Sequence, residues 1–329
     1  MLLWLSIWRY SSIHDIALAN GLAKIGFGAV LNEAPQMSNA PNYSGLAALC
    51  KKFEEIDFDS AWLMDHFTWG PDDAVFECWT TLSALSRDTS KIHLGPFFLC
   101  NGYRNPALVA KMAATLDVIS EGRLELGMGA GWKEDEYRAY GYAFDPPKVR
   151  IAQLDEAASI VKMMWTGRPV TFRGKYYHVS EAVCRPKPMR PKGPNLWIGG
   201  GGERLTLRVA AKHADACNFS GLSTSLKDFQ RKLAIFERHC RSVGRRSQEV
   251  VKSVTLEVVL GKDDDEARRN ERQAPNSRSP ETRFVGTPSH CIALFQEFMD
   301  SGATYFMIHA EDLLSSLDLF EKDVLPSFR

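Results

Sequence analysis

A closed (β/α)8 barrel, the TIM-type architecture of the α/β class, is the fold this sequence predicts, and three observations carry the prediction. From Lys24 onward, short β-type runs alternate with helical runs, giving about eight units, the number such a barrel needs. Two strands run into glycine clusters and then into helices: RLELGMGAGWKEDEY over Arg123–Tyr137 and NLWIGGGGERLTLRVA over Asn195–Ala210. Neither cluster keeps the dinucleotide spacing. After Gly127-x-Gly129 a glycine is required where Trp132 stands, and after Gly199-x-Gly201 where Arg204 stands. The alternative, an open doubly wound sheet, is disfavoured by that missing fingerprint and by the even spacing of the units.

Each unit is justified by its residues. Ile25–Leu31 is an apolar strand, and Tyr43–Glu55 has helical spacing through Leu46, Leu49 and Phe53. Ser60–Met64 is a strand ending in Asp65-His66, and Phe76–Arg87 is helical. Ile92–Cys100 is the third strand. It leads to the helix Pro106–Ile119, which Asn105 can cap and Pro106 can open. The strand Arg123–Met128 precedes the long helix Lys148–Trp165, apolar at Ile151, Leu154, Ala158, Val161 and Met164. Over 167–194 the rhythm breaks, because Pro169, Pro186, Pro188, Pro191 and Pro194 forbid a long helix. Val170–Phe172 and Tyr176–Val179 around Gly174 read as a hairpin inserted in a loop. Alternation resumes with Asn195–Ile198, the helix Glu203–Lys212, the strand Asp215–Phe219 and the helix Leu226–Val243. Val251–Leu260, a charged stretch over Asp263–Ser279, a helix from Thr287-Pro288 to Asp300 and the strand Tyr305–His309 complete the ring. Residues 24–329 thus form one barrel domain, and 1–23 are an N-terminal extension.

Bulk properties narrow the function. The 329 residues are 45% apolar and 24% charged, enough for one large core. Lys+Arg and Asp+Glu are both 40, so no whole-chain field favours nucleic acid or an acidic membrane. The apolar run Leu2–Trp8 is too short to span a bilayer. Seven scattered cysteines, without CxxC or HExxH spacing, read as free thiols of a cytoplasmic protein and argue against a metal site. No GxSxG elbow and no marked pair of carboxylates is present, so hydrolase signatures are missing.

In a barrel, function sits on the loops after the strands. After the second strand come Asp65, His66 and Trp69. The imidazole can exchange protons near neutral pH, and Asp65 can orient it or bond to a cofactor ring. After the third come Phe97-Phe98-Leu99-Cys100, a place for a flat aromatic ligand to pack. After the fourth, Gly129 and Gly131 let a ligand approach the backbone, and Trp132 offers a stacking face. Glu134, Asp135 and Glu136 suit the first turn of a helix through its dipole. After the fifth, Gly199, Gly200, Gly201 and Gly202 bare their N–H groups to an anion, with Arg204 adding charge.

Taken together, Trp62–Phe67, Tyr103-Arg104-Asn105-Pro106, Lys111–Asp117, Glu121–Leu124, Gly127–Gly141, Trp197–Gly202 and Phe284–Pro288 resemble the bacterial luciferase-like superfamily over about Lys24–Glu311. Within it they are most similar to the oxidoreductases dependent on coenzyme F420, a deazaflavin. The resemblance implies a (β/α)8 barrel, often dimeric, with the ring lying against the third strand. It further implies a distorted, non-prolyl cis peptide near Phe97–Leu99, with Phe98, Leu99 and Cys100 beside the ring. Asp65 and His66 fall at the ring's hydrogen-bonding edge and substrate side, and the phosphate tail runs toward Gly199–Gly202. It implies hydride transfer between the deazaflavin C5 and a small organic substrate, with His66 exchanging a proton and Trp69, Trp132 and Tyr137 shaping an apolar pocket. One departure stands out: sugar-phosphate dehydrogenases of this family carry an acid where this chain has Trp132, which argues against that substrate. The alternatives are an FMN-dependent monooxygenase on the same fold and a non-catalytic binder of flavin or deazaflavin.

Overall fold

The computed structural model describes residues 25–31, 42–69, 74–219, 223–274 and 282–329. The expected extension over 1–23 lies outside the described residues. The chain runs through β1 (Gly26–Leu31), α1 (Tyr43–Glu55), β2 (Ser60–Leu63), α2 (Cys78–Asp88), β3 (His93–Pro96), β4 (Leu99–Cys100), α3 (Pro106–Ile119) and β5 (Glu125–Gly129). It continues with α4 (Glu134–Ala139), α5 (Pro147–Met164), β6 (Val170–Arg173), β7 (His178–Ala182), β8 (Asn195–Gly199), α6 (Thr206–His213), β9 (Ala216–Asn218) and α7 (Leu226–Ser242). After β10 (Val251–Leu256), β11 (Val258–Leu260), α8 (Asp264–Gln273), β12 (Phe284–Gly286) and α9 (Pro288–Asp300), β13 (Tyr305–His309) is the last strand.

One sheet has the order β3-β2-β1-β13-β10-β9-β8-β5-β4, and every pairing in it is parallel. Its two edge strands are halves of one stave, so the sheet closes on itself, and the bridge Leu94–Leu124 joins β3 to the approach of β5. The expected single strand Ile92–Cys100 is therefore interrupted. The break falls at Phe97-Phe98, whose peptide bond is cis. The expected strand Val251–Leu260 is also split, because β11 leaves the barrel to pair with β12. The insertion forms the antiparallel hairpin β6–β7 with Phe172 opposite Val179. Helix starts follow their caps: the Asn105 side chain accepts from the Ala107 N–H at 2.9 Å before Pro106. The helix expected from Glu203 begins only at Thr206, which leaves a longer glycine turn than the sequence suggests.

Strands buried on both faces read as continuous apolar runs, and alternation sorts their side chains into two layers. Along β1, Phe27, Ala29 and Leu31 pack in the shell under the helices, while Val30 joins the lumen with Trp62, Trp197, Tyr305 and Met307. The lumen aromatics meet edge to face, Trp62–Trp197 at 4.9 Å and Trp197–Tyr305 at 5.1 Å. At the base of the barrel, the buried Glu125 accepts from Trp197 Nε1 at 2.7 Å, Arg190 Nη1 at 2.9 Å, His93 Nδ1 at 3.0 Å and Asn195 Nδ2 at 3.2 Å. Arg190 belongs to the inserted segment, so this cluster ties the insertion to the barrel. No helix among the described residues is long and apolar enough to cross a membrane.

Candidate active site at the barrel mouth

Barrel staves deliver their functional residues where they end. A cavity of about 440 Å³ opens at the mouth, lined by Met64, Asp65 and His66 after β2, Phe97, Phe98 and Cys100 on the broken stave, and Gly129–Lys133 after β5. Tyr103 after β4, Pro147, Arg150 and Ile151 from α5, and Gly199, Gly200 and Thr206 at the turn after β8 complete it. The volume is in the range typical of small-molecule sites.

Asp65 is buried, and protein groups occupy it. Arg104 grips it with two bonds of 2.8 and 3.0 Å, and the Cys100 N–H donates to it at 2.7 Å. Burial raises the Asp65 carboxyl's pKa above its ordinary value, and the Arg104 guanidinium and the Cys100 N–H pull it only part of the way back. Asp65 thus pins the end of β2 to β4 and to the turn before α3.

His66 does not pair with Asp65. Its Nδ1 lies 3.0 and 3.1 Å from the two carboxylate oxygens of Glu136 on α4. Glu136 is 1% exposed. It also accepts from Tyr103 Oη at 3.0 Å, from Lys133 Nζ at 3.1 Å and from the Phe67 and Thr68 N–H groups at 3.2 Å. Burial pushes its pKa up, but the bond and charge of His66, then Lys133 and the Thr68 amide, outweigh that and hold it at about 2. The His66 ring stacks on Trp69 at 4.6 Å and meets the edge of Trp132 at 5.6 Å. Trp132 is 62% exposed, a large apolar surface at the lip of the cavity.

The glycines have two distinct roles. A Cβ on Gly127 would lie 2.6 Å from the Phe98 ring, and one on Gly199 2.3 Å from it. These two glycines seat Phe98. A Cβ on Gly129 would meet only Phe98 Cβ at 3.5 Å and Gly199 O at 3.9 Å, so its absence keeps that wall bare. Gly200 has φ +123°, a backbone state closed to other residues. Among the described residues no hydrogen bond uses the N–H groups of Gly200, Gly201 or Gly202.

Of the residues expected from sequence, Asp65, His66, Phe98, Cys100, Gly129, Gly131, Trp132, Gly199 and Gly200 border the cavity. Leu99 instead turns into the shell core. Tyr137 lies behind the wall, its Oη 2.9 Å from Cys100 Sγ, and burial pushes that thiol up to about 11. Trp69 touches the site through His66. Gly201 sits against Lys232, whose Nζ donates to the Phe219 carbonyl at 3.1 Å. Gly202 and Arg204 are exposed, outside the lining. Two residues were not anticipated. Glu136 reads in the sequence as one of three interchangeable first-turn acids. Arg150 hides in an amphipathic helix, yet it is 8% exposed, lies over the Phe144 ring at 4.0 Å and donates to the Asp145 carbonyl. Its Nε has no hydrogen-bond partner, and no carboxylate among the described residues pairs with it.

The comparisons place this geometry among known proteins. The chain is 25% identical over 312 residues to the F420-dependent glucose-6-phosphate dehydrogenase of Amycolatopsis mediterranei (strain U-32), covering 84% of this chain and 92% of that one. It is 27% identical over 313 residues to the F420-dependent hydroxymycolic acid dehydrogenase of Mycobacterium tuberculosis, covering 86% and 84%. The fold matches that of an F420-dependent secondary alcohol dehydrogenase in complex with an F420-acetone adduct, with TM-score 0.78, 21% identity and coverage of 93% and 99%. The family model for luciferase-like monooxygenases matches residues 27–284, and with the closed barrel and its broken third stave the chain belongs to the luciferase-like monooxygenase family.

Proposed function

We propose that this protein is an oxidoreductase that uses coenzyme F420 and moves a hydride between the deazaflavin C5 and a carbon of a small organic substrate. The observation that carries the reading is the make-up of the mouth cavity, with one wall of glycine backbone, an aromatic floor and the His66 imidazole at its edge. A flat ring with an anionic chain suits these surfaces. Phe97, Phe98 and Cys100 would pack on the ring. The bare amides of Gly200–Gly202 and Arg150, which has no carboxylate partner among the described residues, would hold the chain. When bound, the coenzyme supplies a two-electron hydride acceptor or donor. Asp65 keeps the broken stave in place, and Trp69 and Trp132 shelter His66 from water and shape an apolar entry. His66 takes or returns the substrate's hydroxyl proton. Trp132, in the position where sugar-phosphate dehydrogenases carry an acid, supports a substrate other than a sugar phosphate.

We further propose a homodimer in the cytoplasm, on the family resemblance alone; sedimentation velocity tests the dimer. The function is tested by mixing pure protein with oxidised or reduced F420 and a panel of alcohols, enones and imines. Bleaching or return of the deazaflavin absorbance is the expected result. Tight FMN binding with oxygen consumption would favour the monooxygenase reading. F420 binding with no turnover of any substrate, unaltered in H66A, would favour a carrier.

A further inference from the structure

Glu136 takes no part in the reading above, yet it is the most heavily bonded acid at the mouth. Its carboxylate collects the His66 Nδ1, the Tyr103 hydroxyl, the Lys133 ammonium and two main-chain N–H groups. These come from three different loops: after β2, after β4 and at the start of α4. Lys133 is fixed in turn by Thr68, through O at 2.9 Å and Oγ1 at 2.8 Å, and pairs with Asp135 at 3.5 Å. The carboxylate therefore cannot swing away from the imidazole without breaking several bonds.

An ionised carboxylate only accepts hydrogen bonds. Held 3.0 Å from His66 Nδ1, it requires a hydrogen on that nitrogen, so the neutral ring must leave Nε2 bare. We infer that Glu136 is the positioning residue of this site: it locks His66 in the Nδ1–H tautomer, leaves Nε2 as the ring nitrogen that exchanges a proton with the substrate, and steadies the imidazolium once formed. The role rests on the oxidoreductase reading for its use, but not for its geometry. Tyr103 and Lys133 serve the lock indirectly by fixing the carboxylate, and the stacked Trp69 holds the ring plane.

The test has one arm without coenzyme and one with it. In the full chain with histidines labelled with nitrogen-15, long-range proton–nitrogen correlations show which ring nitrogen carries hydrogen, and H66Q assigns the signal. Wild type at mildly alkaline pH should show hydrogen on Nδ1 alone. E136Q, whose amide can present either a donor or an acceptor, should show a mixed or reversed tautomer. E136D should keep the wild-type pattern. With F420 and a turned-over substrate, E136Q should lower kcat by about 100- to 1,000-fold with KM within about threefold, and E136D should retain more than about a tenth of kcat. Hydrogen on Nε2 in the wild type overturns the inference whether or not any variant folds. So does E136Q with kcat within about threefold of wild type. If F420 turns over nothing, the functional reading fails while the tautomer arm still decides the role of Glu136.

Discussion

Two buried glutamates, one at each end of the same barrel unit, are nearly the same object chemically and do different things. Glu125 opens β5 at the base, and Glu136 lies in α4 just beyond the top of that strand. Each has a histidine Nδ1 at 3.0 Å and a basic side chain within 3.1 Å. Burial raises both carboxyls, and their cationic partners win and lower both. The difference is what opens beside them. The partner of Glu136 is a wall of the mouth cavity. The partners of Glu125 are Arg190, Trp197 and Asn195, which knit the insertion and two staves together. A carboxylate–histidine pair is thus no functional signal by itself. Its position along the barrel axis gives it one, because the C-terminal rim carries chemistry and the base carries stability.

The sharpest way to break this comparison is to neutralise the base. E125Q leaves the Arg190 guanidinium short of one of its two carboxylates, the other being Asp117 at 3.5 Å. Removing one partner from a buried ion-pair cluster costs up to about 3–5 kcal/mol. The expected outcome in thermal unfolding is a Tm lower by about 10 °C, with coenzyme affinity of the protein that stays folded unchanged. A large loss of affinity with an unchanged Tm would reverse the roles assigned to the two ends.

Gly199 tests the mouth. In G199A the new Cβ meets the Phe98 ring at 2.3 Å, and overpacking of this kind costs about 1–3 kcal/mol. Because Phe98 borders the cavity, the loss should show first as weakened coenzyme binding in a fluorescence titration, and only then as lower stability. Binding equal to wild type would mean that Phe98 has room to move and that the floor of the site is not fixed.

The two buried arginines extend the contrast. Arg190 at the base has carboxylates; Arg150 at the mouth has none among the described residues. R190M should therefore unfold more readily than wild type. R150M should be as stable as wild type without ligand, because it removes an unpaired charge and keeps an apolar stem over Phe144. Its affinity for F420 should fall by about 10- to 100-fold, the value of a charge-assisted bond, while a deazaflavin fragment lacking the phosphate binds as before. Equal losses for both ligands would make Arg150 a prop for the wall.

Much of this was legible in the sequence, for a definite reason. Period-two burial of Phe27, Ala29 and Leu31 against Val30 is a local property, and so is the Asn105-Pro106 helix start, so both strands and helices could be placed within a few residues. The break at Phe97-Phe98 and the departure of β11 at Glu257 depend on which strand lies alongside, and no local pattern records that. The same limit explains the site. His66 and the glycine edges follow from strand ends. Asp65 sits beside His66 in sequence, but the partner of His66 is seventy residues away, on a helix whose acids all suit the dipole. A run of glycines also cannot say whether it leaves the wall of a cavity bare, as at Gly200, or makes room for a neighbour's ring, as at Gly127 and Gly199.

Arg204 gives the smallest expected effect and the finest cut. The sequence offers it as the cation beside the glycine turn, but it is exposed and outside the cavity lining. An exposed charge acts through water and salt, and is worth at most about 1 kcal/mol. R204A should therefore change F420 affinity by less than about fivefold at moderate ionic strength, and that change should vanish as salt is added. The R150M loss should persist, since a desolvated pair is poorly screened. Were the two responses to salt the same, both arginines would be acting at long range, and the mouth would lack the buried countercharge that sets it apart from the base.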